Sequence, residues 1–222
     1  MAVLLALTVF AAFAPAFYPG ATSTEPPLSL LLIVHAGLFS GWMLLYPAQV
    51  LLVATGAVRW HRQVGVAGTL LAASMVVMGV LAQVEHTRRV IADGSYARNV
   101  LVEDLGLSLS ILDVVVFAAF VSAAIGLRRH PAQHKRLMLF ATLAIIGPAV
   151  VRFPAITALP PVAVVLSPLI FVLPAIAYDV LTRGRLMAVT LWGVVISVAY
   201  HLLSMVLVGA GVAGGVARWI AS

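Results

Sequence analysis

The sequence predicts an all-α polytopic transmembrane helix bundle of about seven spans, with the N-terminus inside and the C-terminus outside. Three observations carry this. The 222 residues are 63% hydrophobic and 9% charged, at a mean hydropathy of +1.14. Soluble domains are about 25% charged, so a chain this apolar cannot cover itself with polar surface and takes lipid as its solvent. Apolar runs long enough to cross a bilayer core, about 20 helical residues, recur along the chain with the charges gathered between them.

The first run, 1–18, carries no charge. Ala14-Pro15-Ala16 is weakly like a signal-peptide cleavage site, but the basic segment that precedes such a signal is missing, which favours an uncleaved span. The linker 19–27 has proline, glycine, serine, threonine and Glu25, which is loop chemistry. The second run, 28–58, is long enough to tilt, and Pro47 can kink it. The third is 63–84, followed by a polar segment, 85–104, expected outside the membrane and partly as a surface helix. The remaining runs are 105–127, 137–153, 162–178 and 186–208, the last trailing into a small-residue tail, 209–216. Pro154, Pro160 and Pro161 mark a bend between the fifth and sixth. No run is plainly interrupted, although Pro47, Pro148, Pro168 and Pro174 permit broken helices. All seven runs form one domain, 1–222, without internal repeats.

Charge placement sets the orientation. The loops after spans two, four and six hold Arg59, Arg62, Arg128, Arg129, Lys135, Arg136, Arg183 and Arg185, with Asp179 the only acid nearby. On the other side Arg88, Arg89, Arg98, Arg152 and Arg218 face Glu25, Glu85, Asp93, Glu103 and Asp104. The basic loops belong in the cytoplasm, against anionic lipid.

Several functions are excluded. Without cysteine there are no disulfides, thiolate metal sites, covalently attached haem or iron–sulfur clusters. The net charge of +6 is a topology signal, and no domain is left to bind nucleic acid. The only lysine, Lys135, lies in a loop, which excludes retinal. Phosphate-loop, dinucleotide and His-Glu-x-x-His patterns are absent.

Ionisable groups at membrane depth are costly, so each raises a functional question. Asp113 lies in the fourth span, with Arg152 at compatible depth as a structural partner and proton transfer or metal ligation as the functional alternative. His35, Phe39, Trp42, Tyr46 and Gln49 are spaced 4, 3, 4 and 3 apart, one helical stripe that should face the bundle interior. Gly37 and Gly41 are spaced for close helix contact. His61 and His134 sit where spans meet the inner interface, a placement for solvated edge histidines or for axial haem ligands. His35 with His201 or His86 would form a matching outer pair.

The run His35-x3-Phe39-Ser40-x-Trp42, then Gln49, then His61-Arg62-x2-Gly65-x2-Gly68 resembles a group of uncharacterised bacterial multi-span membrane proteins. The pattern continues with Asp113, His134-Lys-Arg-Leu-Met138, Ala141-Thr142, Pro148, Arg152, Asp179 and Gly184-Arg185, and spans about 27–192. Its interface segments look similar to those of cytochrome b561-like and other haem-handling membrane proteins.

Three readings compete. The first is a redox or assembly component associated with haem b or a quinone, with His35, His61, His134 and His201 as ligands. The second is a non-catalytic membrane subunit or small-solute carrier, alone, as a homo-oligomer or with a membrane partner. The third is a zinc-dependent lipid hydrolase using His35, His86, Asp113 and His201. Seven-span hydrolases of that kind usually carry a His-x3-His pair in the last span, and here Met205 stands at its second position. Gln49, Arg152 and Asp179 complete the polar residues singled out at membrane depth.

Overall fold

The computed structural model describes residues 1–17 and 29–222; the linker expected at 19–27, Glu25 included, lies outside them. Every regular element among the described residues is helical. In lipid this follows from backbone chemistry, because a helix satisfies its own N–H and C=O groups.

Helix α1 (Ala2–Phe17) precedes α2 (Leu30–Ala54), whose first turn is capped by Ser29 accepting from the Leu32 amide at 3.3 Å. A tight turn at Gly56, φ +76°, leads into α3 (Val58–Ala92). This helix runs 35 residues, absorbing both the 63–84 span and the first part of the polar segment expected outside it. The Glu85–Arg89 pair at 2.6 Å, one turn apart, supports the extension. A single turn, α4 (Ser95–Arg98), joins it to α5 (Val100–Gly126).

Next come two interrupted passes. Helix α6 (Pro131–Ala144) stops at buried residues and is followed by the single turns α7 (Gly147–Val150) and α8 (Pro154–Thr157). The second pass is α9 (Pro161–Leu166), a 3-10 stretch at Ser167–Val172, and α10 (Leu173–Arg183). Gly184, φ +68°, closes α10, and α11 (Ala188–Gly209) returns. The expected tail is instead the helix α12 (Val212–Ala221), packed across α3 and α5 through Ala213, Gly214, Ala217 and Ile220.

Five passes are long and apolar enough to cross a membrane: Leu30–Ala54, Val58–Ala92, Val100–Gly126, Pro161–Arg183 and Ala188–Gly209. Helices α1 and α6 are shorter. The core gathers Trp42, Met75, Phe117, Phe120, Phe140 and Ile146 from α2, α3, α5 and α6 and the turn after α6. Around it lies a belt of exposed leucine, valine and isoleucine side chains. An apolar exterior on this scale has lipid as its solvent.

Close helix contact does not come from the expected pair. Nothing lies within 4 Å of a side chain built at Gly37, whereas one at Gly68 would meet Leu45 at 2.9 Å and one at Gly79 would meet Val114 at 2.7 Å. These two glycines let α2 and α5 approach α3.

Candidate functional site

The interruption of α6 begins in the sequence. The carbonyl of Ala144 would accept from residue 148, and Pro148 has no N–H to give. The Ile146 amide turns back to Leu143 and the Ala149 amide to Ile146, which also bypasses the Ile145 carbonyl. Ala144 and Ile145 are both buried, and among the described residues neither carbonyl receives a backbone N–H. In the second interrupted pass Pro168 removes the donor for Val164 in the same way, but there the Ser167 hydroxyl donates to that carbonyl at 2.7 Å.

Asp113 of α5 sits against the first interruption. It is 6% exposed. A side chain built at Gly147 would stand 3.5 Å from its Oδ2 and 3.8 Å from Pro168 Cγ, so both interrupted passes and Asp113 meet at this glycine. Its polar neighbour is the Tyr200 hydroxyl of α11. The expected Asp113–Arg152 pair does not form. Arg152 donates to the Pro148 carbonyl at 2.6 Å and lies 4.1 Å from the centre of the Phe13 ring of α1. Among the described residues no basic side chain pairs with Asp113.

The α2 stripe faces inward as expected. Trp42 donates to Thr142 Oγ1 at 3.2 Å, and Phe39 and Tyr46 pack on the core. His35 stacks on Phe39 at 4.2 Å, with its Nδ1 buried and without a hydrogen-bond partner. His201 is buried beside Tyr200, its Nδ1 2.7 Å from the Ser197 carbonyl.

At the end where α5 meets α6, His61 and His134 come together, their ring centres 6.3 Å apart and their planes nearly perpendicular. The Ala124 carbonyl, 2.8 Å away, accepts from His134 Nδ1–H and leaves Nε2 with the lone pair. Gln49 reaches across from α2. Its amide oxygen accepts from the Gly65 amide at 3.2 Å, and its nitrogen donates to the His61 carbonyl at 3.1 Å and to His61 Nδ1. His61 therefore carries its proton on Nε2, and the pair offers one donor and one acceptor.

Beside this pair lies a feature the sequence only hinted at. Asp179, fully buried, accepts from Arg136 Nε at 3.0 Å and again from Arg136 Nη2, from the Met187 amide at 3.1 Å and from the Thr190 hydroxyl at 2.5 Å. This joins α6, α10 and α11. Arg136, 4% exposed, is thus a buried partner rather than a loop charge.

The opposite end carries its own polar set. His86 pairs with Glu103 at 3.2 Å, and Arg88 Nε donates to the Ile220 carbonyl at 3.1 Å. Tyr96 donates to Asp104 at 2.5 Å. Burial, then this bond and the Asp104 charge, push the Tyr96 phenol up to about 12. His35, His86, Asp113 and His201 do not gather into a group of three ligands among the described residues.

No family model, curated protein or solved structure matches this chain. The class is therefore set by the molecule itself: a multi-pass α-helical membrane protein with a buried carboxylate where two helices are interrupted.

Proposed function

We propose that this protein is a small-solute carrier of the bacterial inner membrane whose cycle depends on Asp113. One observation supports the reading most. A carboxyl group lies buried among apolar helices, without a basic partner among the described residues, where two helical segments lose their regular hydrogen bonding. A charge in that medium is costly unless a cation or proton offsets it. Interrupted helices are also where transporters place their sites, because non-helical backbone at membrane depth is tolerated around a cavity or inside protein. The test uses purified protein in liposomes under an imposed cation gradient, screened with amino acids, sugars and amines. Solute-evoked currents in the wild type and none in Asp113→Asn are expected; equal currents in both would sink the reading.

The chain crosses seven times in this reading, with α1 and the α6–α7 segment as the two short passes and the N-terminus in the cytoplasm. The charge bias supports it: eight basic residues and one acid at the His134 end. The chain has no cysteine, so single cysteines report cleanly. An impermeant thiol reagent outside intact cells should label Ser95→Cys and spare Arg129→Cys.

A second reading rests on the apposed His61 and His134. Two imidazoles on facing helices suit haem b or a quinone-linked redox step, provided that Gln49 releases His61 Nδ1 so that the proton leaves Nε2. A Soret band in protein expressed with added haem, lost in His134→Ala, would favour it over transport.

A further inference from the structure

We propose that the interruption beside Asp113 is a binding site for one sodium ion, the coupling ion of the carrier; this rests on the transport reading above. The ligand chemistry lies at the end of α6 and on the helices beside it. The Ala144 carbonyl has lost its helical donor to Pro148, and the Ile145 carbonyl is bypassed by the Ala149 amide. Both residues are buried, so water is not freely available to replace the lost bonds. The end of α6 adds the negative pole of its helix dipole. Asp113 supplies a negative charge once the ion displaces its proton, and the Tyr200 hydroxyl a further oxygen.

All of these are hard oxygen donors, the set that suits sodium rather than a soft transition metal. Charge sets the stoichiometry. One carboxylate balances one monovalent ion, whereas a divalent ion would leave a net positive charge in a low-dielectric interior. A proton could neutralise Asp113 as well, but it would leave the two carbonyls unsatisfied.

Pro148 makes the idea testable apart from the carboxylate. Pro148→Ala returns an N–H to the Ala144 carbonyl and removes the ring that breaks the helix, without touching Asp113. The probe is radioactive sodium bound to the purified full chain in nanodiscs, at neutral and at alkaline pH. The expected result is saturable binding of one ion per chain, displaced by unlabelled sodium but not by potassium or choline. Asp113→Asn should abolish it, and Pro148→Ala should weaken it about tenfold or more, with thermal unfolding showing both variants folded. No saturable binding at either pH, or undiminished binding in folded Pro148→Ala, overturns the proposal. Solute currents that persist in choline and follow pH alone would assign coupling to protons, overturning the sodium site while leaving the carrier. Sodium binding without any solute current would leave the site standing and remove the carrier.

Discussion

Asp113 and Asp179 are both aspartates buried in the same bundle, 6% and 0% exposed, yet their surroundings are opposite. Asp179 receives two bonds from Arg136, one from the Met187 amide and one from Thr190. Asp113 has the Tyr200 hydroxyl and stands beside Gly147, just after the end of α6. The first is a satisfied charge that ties three helices together. The second is a carboxyl group without a basic partner among the described residues, at a break in the backbone. Burial alone therefore does not distinguish the two aspartates, and the count of donors does.

The contrast can be broken most forcefully at Asp179. Asp179→Ala leaves Arg136 buried and unpaired, and should cost about 3–5 kcal/mol of stability in detergent, measured by denaturation of the purified protein. Replacing both partners with apolar side chains, Asp179→Leu together with Arg136→Met, should recover most of that loss, because no lone charge remains. Thr190→Val removes one of the four donors and should cost about 1.5–3 kcal/mol, since the acceptor is charged. Thr142→Val, which removes the neutral bond from Trp42, should cost about 0.5–1.5 kcal/mol. Asp113→Asn should change stability by less than about 0.5 kcal/mol or raise it, since it keeps the shape and removes only a carboxyl that has no salt bridge among the described residues, while abolishing the solute current. A large stability loss in Asp113→Asn would make it a second Asp179 and end the distinction.

Tyr96 and Asp104 sharpen the comparison from the membrane edge, with a tyrosine hydroxyl on a carboxylate at 2.5 Å. The Tyr96 phenol is held up to about 12 in the folded chain against about 10 when unfolded. It is protonated in both states below the lower value, so its contribution is complete there. It is lost as pH rises through the upper value. Ultraviolet titration of the tyrosines should show a late component that moves to lower pH in Asp104→Asn.

Much of this molecule was legible in its residues. His61 and His134 were legible only as histidines at the same edge, whereas the helices and the inward stripe at Phe39, Trp42, Tyr46 and Gln49 follow from spacing. These are local matters: a segment in lipid must close its own hydrogen bonds, and its polar stripe must turn away from the tails. The proline positions were visible too, but not that Pro148 would end α6 outright rather than bend it. The partners were not visible. Arg152 turned to Phe13 instead of Asp113, Arg136 left the loop to meet Asp179, and the expected tail became α12. Each of these depends on the rotation and offset of one helix against another, which packing sets between residues far apart in the chain.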